Sequence, residues 1–248
     1  MTKDTDYDYS PSSSRGAASN ANSPDYKGPC GNQRRNEREL RQARTLDDNQ
    51  IERVVAHIRS TSNSPASDEL KFLFSAYAGL RAAEIAGMTL EAVVDADDRV
   101  SQRIIVGRHI AKFGRERIIP MHPRIRQALL RLRAAHPDVR FLSFSARRHI
   151  KRQNASAVKS WFSGMYTQVG LRGCSSHSGR RTFITRMARM ANLHGHSLRD
   201  VQLLAGHARL DTTAMYIDPA EDLSGLVAAM GGGAQHRSRI NSMKGPRT

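Results

Sequence analysis

Six polar side chains stand in an order and spacing that suit attack on a phosphodiester. Arg81 lies in Gly79-Leu-Arg-Ala-Ala-Glu84, and Lys112 lies in Ala111-Lys-Phe-Gly-Arg-Glu-Arg-Ile-Ile-Pro120. His177 and Arg180 form a His-x-x-Arg, His207 follows in Leu203-Leu-Ala-Gly-His207, and Tyr216 comes nine residues later. Attack on a phosphodiester builds negative charge on the non-bridging oxygens. Preorganised cations lower that barrier, and a guanidinium fork matches phosphate oxygens two at a time. Arg81 and Arg180 suit that task. Tyr216 suits the nucleophile, but a phenol with an ordinary pKa of about 10 needs help at neutral pH, and His177 or His207 can give it. The departing 5′-oxygen needs a proton, which a lysine such as Lys112 can deliver. Glu84, one turn after Arg81, can orient one of the cations.

Each residue alone has a blander reading. A helical Arg beside Glu is usually an ion pair, an exposed Lys is usually just solvated, and a Tyr near a C-terminus usually packs with a wet hydroxyl. The joint order carries the inference, so the elements that would hold these residues matter. Thr45-Leu-Asp-Asp48 reads as a capping box before a helical stripe of Leu46, Ile51, Val54, Val55 and Ile58. Ser67 or Asp68 is expected to cap a second helix, Gly79 to end it, and Arg81 to open a short third. Val93-Val94, Ile104-Ile105-Val106 and Ile118-Ile119 are β-favouring clusters separated by turn residues. They predict a three-stranded antiparallel sheet with Lys112 at the tip of its last hairpin. Helical patterns then begin near His122, Ala155, His177 and Ser197, with Ser197-Leu-Arg-Asp200 as another capping box. Asp222–Met230 reads as a last amphipathic segment. The expected fold is α+β, mainly helical with one small sheet.

Composition sets the partner class. The 39 Lys and Arg against 23 Asp and Glu leave +16, which favours a polyanion. Residues 139–199 run 61 positions without an acid, while a merely soluble surface mixes both signs. Arg147, Arg148, Lys151, Arg152, Lys159 and Arg181 in that run are candidate DNA contacts. Residues 1–44 are polar, becoming basic towards their end, and residues 231–248 form a Gly-rich then basic tail; both read as disordered. One domain is expected between them, over 45–230. The two cysteines, Cys30 and Cys174, suit a reducing compartment. No apolar signal core opens the chain and no stretch reaches ~18 apolar residues, so a cytoplasmic location is expected.

The ordered set resembles the catalytic domain of the tyrosine recombinase (phage integrase) family. Its pattern is Gly-Leu-Arg-x-x-Glu, a β-hairpin Lys, His-x-x-Arg, and Gly-His followed nine residues on by Tyr. The resemblance spans roughly residues 46–230. It implies that Arg81, Lys112, His177, Arg180 and His207 activate the scissile phosphate and that Tyr216 attacks it. A 3′-phosphotyrosyl link would result, with neither metal nor nucleotide cofactor. It also implies double-stranded DNA as substrate, in integration or excision, and a homo-tetramer exchanging a C-terminal segment, for which Asp222–Met230 is the candidate.

Two departures qualify the match. Gly179 stands where the family usually has Leu, and Arg181 where it usually has a second His. The helical core-binding domain that precedes most members is not evident in residues 1–44, which implies a truncated sequence, a partner supplying that function, or weak DNA affinity. Three rivals remain. Cys174-x-x-His177 and His194-x-His196 resemble fragments of zinc motifs. Ser197–Ile217 superficially mimics the helix-turn-helix of a non-catalytic DNA binder. A type IB topoisomerase-like enzyme would share the chemistry.

Overall fold

The computed structural model describes residues 43–145 and 148–217, all within one compact unit. Residues 1–42, the Asp222–Met230 segment and the tail from 231 lie outside the described residues. The first helix, α1 (Asp48–Thr61), is capped by Asp47 rather than Thr45. The Asp47 carboxylate accepts from the Gln50 amide at 2.7 Å, and the Gln50 side chain accepts from the Asp47 amide at 3.1 Å. Ile51, Val54, Val55 and Ile58 form its buried stripe. At about 1.5–3 kcal/mol per buried side chain, that stripe outweighs any intrinsic helix preference.

Helix α2 (Pro65–Ala78) starts earlier than expected, because Pro65 fits the first helical position after Ser64. Ser67 and Asp68 are therefore inside the first turn. Ser67 donates to the Leu142 carbonyl at 3.0 Å, and Asp68 pairs with buried Lys71. Gly79 ends α2 in the left-handed region at φ 63°, and a Cβ there would lie 2.4 Å from the Phe183 ring. Glycine thus serves both the turn and the approach of a later helix. Arg81 is the N-cap of α3 (Ala82–Gly87).

The sheet is smaller than the three strands expected. Strands β1 (Arg103–Val106) and β2 (Arg117–Pro120) pair antiparallel, with Ile104 opposite Ile119. Val93 instead closes the 3-10 turn Leu90–Ala92, and Val94 makes only an isolated bridge to Val100. The turn through Asp95–Asp98 leaves too little extended chain there for a ladder. Lys112 lies in the 3-10 turn Lys112–Gly114 at the tip of the β1–β2 hairpin, as expected.

Helix α4 (Pro123–Ala135) follows, then a second two-stranded ladder of β3 (Phe144–Ser145) and β4 (Arg148–Arg152). Helices α5 (Ala155–Gln168), α6 (Ser178–Met190), α7 (Leu198–Ala205) and α8 (Leu210–Ala214) complete the described fold. The architecture is mainly helical with small antiparallel pairings, as the sequence implies. Helix α6 packs on α2 through Gly179, where a Cβ would meet Ser75 Oγ at 2.5 Å. The departure from Leu at this position is a close helix approach. One main core runs from α1 through α5, and a smaller one joins Phe183, Ile184, Ala191, Val201 and Ala205. Among the described residues, no helix is long and apolar enough to cross a membrane.

Candidate active site

Glu84 is the hub of the site. Its side chain is 1% exposed, which only strong partners can offset. Arg117 grips it with both terminal guanidinium nitrogens, Nη1 to Oε1 at 3.0 Å and Nη2 to Oε2 at 2.7 Å. Arg81 adds its backbone amide and its Nη1, each at 2.9 Å. Burial alone would raise the carboxyl pKa; the hydrogen bonds and charge of Arg117, with those of Arg81, outweigh it and hold Glu84 below the usual carboxylate range.

The C-terminus of α7 gathers the cations. Arg117 Nε donates to Leu204 O at 3.0 Å, Arg180 Nη2 to Ala205 O at 2.7 Å, and Arg81 Nη2 to Gly206 O at 3.4 Å. Three consecutive carbonyls without onward helical partners thus each receive one guanidinium, where the helix dipole favours positive charge. Arg180 Nη1 also donates to Gly79 O, the carbonyl just after α2. Gly206 makes this end possible with φ 62°. Arg180 is only 4% exposed, and burial followed by the charge of Arg81 lowers its pKa. Three arginines against one carboxylate leave the cluster net positive, which suits an anion.

His207 and Tyr216 border this cluster. His207 is 8% exposed, and its pKa falls to about 4, first through burial and then through the charges of Arg180, Arg81 and Arg117. Its ring is therefore neutral at pH 7. Nδ1 lies 2.9 Å from Thr213 Oγ1, and the Gln202 side-chain amide donates to the His207 carbonyl at 3.1 Å. The Tyr216 ring stacks on His207, with centroids 5.7 Å apart and planes at 24°. Arg181, the departure from the family pattern, places its guanidinium carbon 5.6 Å from the Tyr216 ring centre.

The remaining expected residues are less tightly placed. His177 keeps much of its surface in water, with Nδ1 3.3 Å from Ser176 Oγ. Lost hydration, then the charges of Arg180, Lys159 and Arg81, lower its pKa, which puts it beside the same cluster. Lys112 is exposed; its ammonium sits 5.0 Å from the Phe113 ring centre and bonds none of the cluster residues. Of the candidate DNA contacts, Arg152 and Lys159 are exposed, and Arg181 is half-buried against Tyr216. Arg147 and the side chains of Arg148 and Lys151 lie outside the described residues. Among the described residues, no three His, Cys, Asp or Glu side chains gather as metal ligands.

Arg117 is the site residue that the sequence reading missed. It stands among other cations in Lys112-Phe-Gly-Arg-Glu-Arg117, so its charge alone is unremarked. The usable signal is strand alternation. Arg117 and Ile119 share the inward face of β2, and an inward arginine requires a buried carboxylate.

The profile of the phage integrase family matches residues 44–222. The tyrosine recombinase XerD of Haemophilus influenzae is 30% identical over 184 residues, covering 69% of this chain and 58% of that protein. XerD of Shewanella oneidensis is 28% identical over 183 residues, covering 69% and 56%. The chain thus spans a little over half the length of these curated relatives. Among solved structures, the Tn1549 transposon integrase in complex with circular intermediate DNA aligns with a TM-score of 0.60 and 20% identity, covering 77% of this chain and 67% of that one. The XerA recombinase aligns with a TM-score of 0.55 and 23% identity, covering 77% and 65%. These structural likenesses bear on the fold.

Proposed function

Because this chain belongs to the phage integrase family, we propose that it is a site-specific DNA recombinase that cuts and rejoins strands through Tyr216. The observation that carries the reading is the stacking of Tyr216 on His207 beside a net-positive pocket of Arg81, Arg117 and Arg180. In the first step the Tyr216 oxygen bonds to phosphorus and the bond to the 5′-oxygen breaks. The product is a 3′-phosphotyrosyl link and a free 5′-hydroxyl. Arg81 and Arg180 hold the non-bridging oxygens, and His207 donates its N–H to one of them. His177, whose pKa is lowered by its surroundings, accepts the phenol proton. Lys112 protonates the departing oxygen, the hairpin tip closing on DNA to bring it near. Rejoining reverses these steps, because the link retains the bond energy.

Double-stranded DNA, in a cytoplasmic setting and in integration or excision, belongs to the same proposal. So does a tetramer that exchanges Asp222–Met230 between copies. That assembly is supported by a mainly apolar groove of about 570 Å³, lined by Met187, Met190, Ala191, Val201, Leu203 and Leu204, with His194, His196 and Asp200 also on its wall.

The test is trapping on a suicide substrate. A duplex selected from a random pool by binding to the protein is nicked beside the cleavage position, so that a short fragment diffuses away. The expected result is an SDS-resistant protein–DNA adduct in EDTA with wild type and none with Tyr216→Phe. Specific binding without any adduct would make the chain a non-catalytic binder, and a requirement for added metal would refute the mechanism.

A further inference from the structure

The geometry points to Thr213 as the residue that fixes the His207 proton on Nε2 and holds that ring in register with Tyr216. This rests on the reading of His207 as a donor to phosphate. Thr213 is fully buried, and among the described residues its hydroxyl has one partner, Nδ1 of His207 at 2.9 Å. A neutral imidazole carries one N–H, so either nitrogen can be the donor in this pair.

If Nδ1 carried the proton, it would donate to Oγ1. The Thr213 hydroxyl hydrogen would then be buried with no acceptor. Threonines inside helices usually turn that hydrogen to a carbonyl one turn back. Thr213 makes no such bond. An orphaned buried donor costs more than the net worth of a typical hydrogen bond. The hydroxyl therefore donates into the Nδ1 lone pair, and the ring proton sits on Nε2. Among the described residues none bonds Nε2, and the charges acting most strongly on the ring are Arg180, Arg81 and Arg117. An N–H there can meet a phosphate oxygen. A bare nitrogen would oppose its lone pair to the oxygen's own.

Thr213 also reaches the nucleophile. Its carbonyl accepts the Tyr216 amide at 3.1 Å, so one residue holds the His207 ring through its side chain and the Tyr216 backbone through its main chain. Serine keeps both connections. Valine keeps the shape and the carbonyl but loses the hydroxyl. Thr213 is thus a positioning residue, acting through His207.

The test reads the ring directly. Full-length protein labelled with nitrogen-15 in its histidine rings is examined by NMR at pH 7 without DNA, with the His207 signals assigned by their loss in His207→Gln. Wild type and Thr213→Ser are expected to show a protonated Nε2 and a bare Nδ1. Thr213→Val should shift the tautomer ratio about fivefold to tenfold towards Nδ1–H, the size of one hydrogen bond. Adduct formation should fall in Thr213→Val, through the smaller Nε2–H population and the loosened ring together, and recover in Thr213→Ser. A wild-type ring protonated on Nδ1 overturns the inference, even if the valine variant fails to fold. So does an unchanged spectrum in Thr213→Val, or a serine variant as slow as valine with a wild-type spectrum. Because the spectrum needs no DNA, this inference can fail while the cleavage reading stands, and the reverse.

Discussion

Replacing Glu84 with Gln removes one charge and almost no volume from the centre of the site. The carboxylate accepts four hydrogen bonds, from the Arg81 amide, Arg81 Nη1, Arg117 Nη1 and Arg117 Nη2. A glutamine has one carbonyl oxygen, so at best half of these survive, and its NH2 faces a guanidinium that can only donate. Two lost bonds to a charged acceptor, at about 1.5–3 kcal/mol each, match the usual cost of breaking a buried pair, about 3–5 kcal/mol. The expected loss of stability is about 3–5 kcal/mol at pH 7, measured by urea unfolding. Adding Arg117→Met should restore part of it, because the stranded cation goes with the charge that held it. The pair should therefore be coupled by more than about 1.5 kcal/mol. The sign with pH follows from the lowered pKa of Glu84. Its contribution is present above the unfolded carboxylate pKa and is lost as pH falls through the folded value, so the deficit of Glu84→Gln should shrink below about pH 4. A loss under about 1 kcal/mol, or strict additivity with Arg117→Met, would refute Glu84 as the hub.

Three further outcomes are expected. Gly206→Ala places a Cβ in the left-handed region, 3.0 Å from Arg117 Nη1; it should lower stability by about 1–2 kcal/mol in a thermal melt and reduce adduct formation more steeply, because the Gly206 carbonyl holds Arg81. The His207 pKa of about 4 against an ordinary 6.5 means that the unfolded chain binds more protons in that window. Wild-type stability should therefore fall as pH drops from 6.5 to 4, by up to about 3 kcal/mol from this group. His207→Gln should show a shallower fall in the same unfolding series, with His177 and His122, lowered in the same direction, supplying the rest. DNA affinity should drop steeply with salt, and Lys159→Ala should reduce the log–log slope by about one in a filter-binding series; a flat dependence would remove the 139–199 stretch as the binding face.

Much of the fold was readable because local signals agreed with packing. The stripe of Ile51, Val54, Val55 and Ile58 predicts a helix, and the Ser197–Asp200 box marks the start of α7 as observed. Boundaries shifted where two signals competed. Pro65 outranked Ser67 and Asp68 because a first-turn proline costs nothing, while those two side chains found tertiary partners. The three-stranded sheet failed at Val93-Val94, whose β preference yielded to the turns on either side. The β3–β4 ladder went unseen, since Arg148-His-Ile-Lys-Arg152 carries one apolar residue and no alternation.

For the site, residue types and order were legible, and the structure brings Arg81, Arg180, His207 and Tyr216 together. The partners that hold them were not legible. Leu204, Ala205 and Gly206 contribute only backbone carbonyls, which no residue type announces. Arg117 was legible only through the alternation of β2, which turns it inward beside Glu84. Lys112 illustrates the converse: its hairpin tip was predictable, yet there its ammonium is exposed and bonds none of the cluster residues.

In the proposed reaction Tyr216 becomes covalently joined to DNA. The most direct measurement is peptide mapping of the trapped adduct by mass spectrometry after nuclease and protease digestion. The expected product is a nucleotide 3′-phosphate on the Tyr216 oxygen. Attachment at any other residue, or at the 5′ end of the cut strand, would contradict it.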